Sequence, residues 1–176
     1  MSDDKPYILP SSDAESRRLE EQATLYGGTD FLDPFLAAEP AAVLDAGCGT
    51  GFFTRHAAGR LPESRVVGLD QDEGRLALAR RLGGLTNLEF QQGDLGALPF
   101  GDGEFDLVFS RFVTVHATDP DGDLAEQLRV TRAGGTVVAY DMVHSGVWFS
   151  PHRPAFAAVL AEATRVMRER GMEPDQ

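Results

Sequence analysis

The 176-residue chain has one cysteine, one tryptophan and, among sixteen basic side chains, a single lysine. A lone Cys48 closes no disulfide within the chain and builds no thiolate cage for a metal. The lysine is Lys5. A P-loop needs a Gly-Lys-Ser/Thr run, which is missing, and no interior lysine is left for Schiff-base chemistry. No apolar run approaches the ~20 residues that span a bilayer. The opening Met1-Ser2-Asp3-Asp4 is acidic where a secretory signal is basic and then apolar, so a cytoplasmic location is expected. Positive charge is scarce as well. Sixteen bases against 28 acids leave −12, which repels a phosphate backbone and sets nucleic acid aside as a main partner. What remains is an ordinary globular composition, 42% apolar and 25% charged, at a length of about one domain.

Residues 1–40 hold nine of the acids against Lys5, Arg17 and Arg18, so half of the net charge lies in under a quarter of the chain. Ser12 followed by Glu15 forms a capping box, which predicts a helix over Asp13–Tyr26 ending at Gly27-Gly28. A short second helix, with Phe31, Leu32, Phe35 and Leu36 on one face, ends at Pro40. These helices read as a lid over a main domain spanning 41–176. From Ala41 onward, short apolar runs alternate with helical stretches. The strand candidates are Ala42–Asp45, Arg65–Leu69, Leu88–Gln91, Phe105–Phe109 and Thr136–Asp141; the helix candidates are Phe52–Gly59, Glu73–Leu82, Gly122–Val130 and Pro154–Arg170. Runs apolar on both faces, alternating with helices, predict an α/β fold with a doubly wound, mostly parallel sheet. In the last helix Phe156, Val159, Leu160, Ala163, Val166 and Met167 recur at helical spacing.

The segment Val43-Leu44-Asp45-Ala46-Gly47-Cys48-Gly49-Thr50-Gly51-Phe52 reads as strand, glycine-rich turn and helix start. Three glycines on alternate positions exceed what a plain turn needs and let a ligand touch the main chain. A dinucleotide site wants Gly-x-Gly-x-x-Gly, whose third glycine would stand at 52, where the chain has Phe52. Asp45 beside the turn opposes a pyrophosphate and favours a cationic group. Val66-Val67-Gly68-Leu69-Asp70 is an apolar strand ending in a carboxylate, placed either to accept both ribose hydroxyls of an adenosine or to cap the next helix with Asp72. After the third strand, Gln92-Gly93-Asp94-Leu95 offers an aspartate for an adenine amino group and a leucine for its face. Phe105–Arg111 brings a fourth strand end to the same crevice.

In this order and spacing, Val43–Gly51, Asp70, Gly93-Asp94-Leu95, Phe105–Arg111 and Arg132-Ala133-Gly134-Gly135 resemble the class I S-adenosylmethionine-dependent methyltransferases. Phe112–Pro120, Leu124–Asp141 and the opening Tyr7–Glu15 with Arg18–Ala23 resemble their small-molecule subgroup, and the likeness runs over about residues 6–145. It implies a Rossmann-like sheet and S-adenosylmethionine as cofactor, with Asp45, Gly47, Cys48, Gly49 and Gly51 around its methionine portion. Asp70 would hold the ribose, Gln71 would pack on the adenine, Asp94 and Leu95 would read its edge, and Ser110 and Arg111 would lie beside the sulfonium. Two departures stand out. Ala133 replaces the proline usual before the fifth strand, and Gln176 comes too soon for the family's terminal antiparallel hairpin, so the chain is expected to be either C-terminally truncated or naturally short. The fifth strand is then expected to be an edge, open to a second copy in a homodimer.

Methyl transfer from a sulfonium needs no protein nucleophile, and none is assigned. An oxygen acceptor gains from a general base, for which His116 and Tyr140 are candidates beside Asp141 and His144. His144, Trp148 and His152 could rim an acceptor site or belong to a surface loop; His56 reads as a solvated helix position. The reading is a methyltransferase acting on an O, N, S or C atom of a small molecule, without metal. A cofactor-binding module without turnover is the alternative.

Overall fold

A computed structural model describes residues 28–141 and 154–169, together with helical Arg18, Glu21 and Ala23. Five strands, β1 (Ala42–Ala46), β2 (Arg65–Asp70), β3 (Leu88–Gln92), β4 (Phe105–Arg111) and β5 (Thr131–Tyr140), form one sheet in the order β3-β2-β1-β4-β5. Every pairing is parallel. The helices are α1 (Asp33–Leu36), α2 (Phe52–Arg60), α3 (Glu73–Gly83), α4 (Pro120–Val130) and α5 (Pro154–Glu169), with a 3-10 turn at Thr114–His116. This is the expected α/β, Rossmann-like architecture.

The sheet is central because its inner strands β1, β2 and β4 are apolar on both faces. Successive strand residues point to opposite sides. Val43, Val66 and Leu107 therefore pack with Phe53, Ala57 and Ala58 of α2 and with Leu32 and Leu36, whereas Leu44, Val67 and Val108 pack with Leu98, Phe100, Phe105 and Val130. Aspartates start the helices: Asp72 accepts the Arg75 N–H at α3, and Asp119 accepts the Gly122 N–H at α4, where Pro120 fills the first turn.

From Phe31 onward the predicted strands and helices recur with shifted ends. β5 begins at Thr131, paired with Phe105; the chain then bulges through Gly134, at φ +77°, and rejoins the ladder at Thr136 opposite Leu107. Asp106 fixes that detour, holding the Arg132 guanidinium with one oxygen and the Ala42 N–H at 2.8 Å with the other. The expected face of α1 is corrected at Phe35, which is exposed while Leu32 and Leu36 are buried. A helix of one turn presents a single i,i+4 pair to the sheet. On α5 Met167 packs against Val115, but Val159 is 67% exposed. The side chains of Phe156 and Leu160 lie outside the described residues, as do most of Asp13–Tyr26 and all of 142–153 with His144, Trp148 and His152. β3 and β5 are the edges of the described sheet. No described helix is long and apolar enough to cross a membrane.

Phe105 is fully buried, stands edge-to-face with Phe100 at 5.0 Å and lies under the Arg65 guanidinium. Phe105→Ala should lower the unfolding free energy by about 3–5 kcal/mol, measured by urea denaturation; a loss below about 1 kcal/mol would show that this side of the sheet is not the packed core.

Candidate functional site

The sheet order makes β1 and β4 neighbours while the chain leaves them toward opposite edges. Ligands in open α/β sheets lie in the crevice over the strand ends at such a switch point. The glycine loop Gly47–Gly51 closes one side of it.

Asp45 sits inside this turn, opposite Gly68 on β2 and Phe109 on β4, and is 3% exposed. The Thr54 hydroxyl donates to it at 2.6 Å and the Thr54 main-chain N–H adds a second bond. The start of α2 has Gly51 at its N-cap and no side-chain cap of its own, so a strand carboxylate takes that place. Burial pushes the Asp45 pKa up to about 7 against the lowering by Thr54, and the nearby Asp70 carboxylate adds to the rise.

The loop amides are also committed. Gly47 and Cys48 N–H groups both donate to the Leu69 carbonyl, at 2.8 and 2.9 Å. The Gly49 N–H donates to Asp70 Oδ2 at 2.8 Å, while Asp70 Oδ1 accepts the Asp72 N–H at 2.9 Å. Burial raises the Asp70 pKa, and these two amides hold it back. A dinucleotide site would aim free amides and a bare helix N-terminus at a pyrophosphate. Here that terminus already holds a carboxylate, so an anion is refused and a cation is favoured.

All three glycines sit at positive φ, which disfavours a side chain, and two of them also face close neighbours. A Cβ on Gly51, at φ +76°, would meet the Phe90 ring at 2.6 Å, and one on Gly47, at φ +87°, would meet Val113 at 2.5 Å. The same Phe90 ring lies over Gly68, its register partner on β2. Gly49, at φ +55°, differs only in its space: a Cβ there meets nothing within 4 Å. Open space in the loop is thus concentrated at Gly49, beside both carboxylates.

Asp45, Cys48, Gly49 and Asp70 come together at the ends of β1 and β2. Burial raises the Cys48 thiol pKa well above its ordinary value, so the thiol stays protonated. Gln71 and Asp94 are exposed, Asp94 turning one oxygen to the Gly96 N–H at 3.0 Å, and Leu95 is half-buried against the cluster of Leu98, Phe100 and Phe105. Ser110 is buried at the end of β4. Arg111 and Tyr140 face each other in register across β4 and β5. Tyr140 turns into a group of aromatic rings, while the Asp141 carboxylate accepts the Val115 N–H at 3.3 Å, so the adjacent pair diverges. His116 is half-buried in the 3-10 turn.

Sequence reasoning missed Thr54, whose role depends on α2 folding back over β1, and Phe90, an ordinary strand residue by pattern. It also misplaced His56. Its Nε2 lies 2.7 Å from Asp33 Oδ1, pinning α1 to α2 instead of standing in solvent.

The family described as "Methyltransferase domain" matches residues 43–135. The demethylmenaquinone methyltransferase of Thermus thermophilus is 35% identical over 136 residues, 76% of this chain and 62% of that protein. The malonyl-[acyl-carrier protein] O-methyltransferase of Erwinia billingiae is 39% identical over 119 residues, 64% of this chain and 46% of that protein. The chain therefore spans about half the length of the curated relatives it matches. Among solved structures, a SAM-dependent methyltransferase from Aquifex aeolicus shares the fold with a TM-score of 0.68 at 20% identity, over 88% of this chain and 87% of that one.

Because the folded state holds the Asp45 proton more tightly than the unfolded chain, this group should cost stability as pH rises from about 4 to 7. Relative to wild type, Asp45→Asn should therefore gain stability across that window, by up to about 1.4 kcal/mol per pH unit, and level off above it. Denaturant titrations of both proteins from pH 4.5 to 8 check this; a pH-independent difference would contradict it.

Proposed function

The chain belongs to the methyltransferase-domain family, and from that premise we propose that it binds S-adenosylmethionine over the Gly47–Gly51 loop and methylates a small-molecule acceptor. The observation that carries this reading is the buried Asp45 carboxylate on the α2 terminus beside the open face of Gly49. It suits the ammonium and sulfonium charges of this cofactor and rejects a pyrophosphate. When bound, the cofactor supplies an electrophilic methyl group: the acceptor's electron pair forms the new bond while the carbon–sulfur pair leaves with sulfur.

The chain's own residues position and shield. Asp45 supplies negative charge under the methionine portion, flanked by Gly47, Cys48, Gly49 and Gly51. Asp70, already fixed by two amides, has lone pairs left for ribose hydroxyls. Gln71, Asp94 and Leu95 stand where the adenine would lie, and Ser110 and Arg111 on the side of the sulfur. His116 and Tyr140 are candidates to take a proton from an acceptor that must lose one. Residues 1–40 act as a lid over the domain at 41–176; the Phe31–Phe53 ring contact at 5.2 Å and the His56–Asp33 bond support this by tying its described end to α2. The acidic balance supports a small acceptor over nucleic acid. A cytoplasmic setting, and pairing with a second copy through the β5 edge or the lid, belong to the same reading.

Calorimetry with S-adenosylmethionine tests it. Binding should release a proton near pH 7, seen as an observed enthalpy that changes with the buffer's ionisation heat, because a cation beside Asp45 lowers its raised pKa. Affinity should accordingly rise with pH through about 7. Asp70→Ala should weaken binding by about 1–3 kcal/mol, or ~5- to 150-fold, and Gly49→Val should abolish it in a folded protein. Equal affinity for NADH, or a folded Gly49→Val protein that binds normally, would sink the proposal.

A further inference from the structure

Four residues of α2 are buried, Phe53, Thr54, Ala57 and Ala58, and of these only Thr54 is polar. It is 0% exposed, so its hydroxyl depends on a protein partner. A valine would fill the same space without a polar group to satisfy. What the hydroxyl gains is Asp45 Oδ2 at 2.6 Å, a buried, charge-assisted bond that joins α2 to β1. The Thr54 main-chain N–H is one of the donors that the first turn of a helix leaves without an intrahelical acceptor, and it goes to the same carboxylate. Two donors from one residue fix the carboxylate in place and leave it lone pairs for a ligand.

We propose that Thr54 is a positioning residue for the cofactor: by donating twice to Asp45 it holds that carboxylate ionised beside the cofactor's positive charge, and so sets the pH above which binding is tight. This rests on the methyltransferase reading above and names what regulates the same site.

An acid withdrawn from water favours its neutral form, and a neutral Asp45 attracts a cation weakly. The groups around it pull both ways. Asp70, at the end of β2, is a like charge that favours the proton, while Arg111, on β4, opposes it. The Cys48 thiol of the loop lies beside the same hydroxyl and stays protonated. Among the groups on the ionised side the Thr54 hydroxyl acts most strongly, because a donor this close stabilises the charged form more than the neutral one. The balance leaves the Asp45 pKa at about 7, where the ionised fraction changes steeply with pH. Loss of one donor there becomes loss of affinity. Asp70 is held differently, by the main-chain amides of Gly49 and Asp72, so the Thr54 hydroxyl acts on Asp45 and leaves those bonds in place.

The test compares wild type, Thr54→Val and Thr54→Ser, with circular dichroism verifying that each is folded. Dissociation constants for S-adenosylmethionine are measured by calorimetry from pH 6 to 8.5. In the ratio of variant to wild type the ligand's own titration cancels. Loss of the hydroxyl moves the Asp45 midpoint up by about one pH unit, so Thr54→Val should bind ~tenfold more weakly at pH 6 and within ~twofold of wild type at pH 8.5. Thr54→Ser, which keeps the donor, should stay within ~twofold throughout. A ratio equal at every pH marks a packing role and overturns the proposal, as does a serine variant that behaves like the valine. A second measurement needs no cofactor. The infrared carbonyl band of the protonated carboxyl, identified by its loss in Asp45→Asn, should persist ~one pH unit higher in Thr54→Val. A band that disappears at the same pH in both proteins overturns the proposal too. Failure of the wild-type chain to bind S-adenosylmethionine at any pH counts instead against the methyltransferase reading, and the infrared shift tells the two failures apart.

Discussion

One carboxylate on one helix terminus organises this end of the molecule. Asp45 leaves β1 and meets the Thr54 hydroxyl and amide at the start of α2, so strand, loop and helix share a single joint. Burying an acid costs free energy, visible in its raised pKa, and the helix terminus offsets part of that cost. The arrangement persists because the rest of the loop is tied down too: Leu69 collects two of its amides and Asp70 a third. A loop pinned this way keeps its shape without a ligand, so little ordering has to accompany binding.

The same joint sets the chemistry the crevice will accept. A doubly wound sheet with a free helix terminus at its switch point invites phosphate. Filling that terminus with a protein carboxylate reverses the sign of the field while leaving the architecture untouched. Fold and ligand class are therefore set by different residues, the first by the apolar strands and the second by Asp45 and its partner Thr54.

Much of the fold was legible because strand alternation and helix periodicity are local properties. Val43-Leu44, Val66-Val67 and Leu107-Val108 could be assigned to strands from neighbours alone, and Asp72 and Pro120 mark helix starts on the same terms. The exceptions are instructive. Phe35 looked like a core residue because its neighbours are, but a one-turn helix buries only Leu32 and Leu36. His56 looked solvated because nothing nearby in sequence required it, yet Asp33 lies across a turn that only packing could bring close. At Gly47 and Gly51 the neighbours Val113 and Phe90 exclude a side chain, whereas at Gly49 the space is open and the positive φ calls for glycine.

By itself the sequence determined the layered α/β class, the strand–loop–helix turn and the acids that flank it, since each is encoded within a few consecutive residues. It did not determine that Thr54 would ground Asp45, that Phe90 would reach across β2 to the loop, or that the rings of Phe53, Phe112 and Tyr140 would surround Arg111. Those contacts join positions far apart in the chain, and their distances exist only once the strands have taken the order β3-β2-β1-β4-β5. Short-range pattern fixes which elements form, whereas side chains meet across elements only after the sheet has set their register.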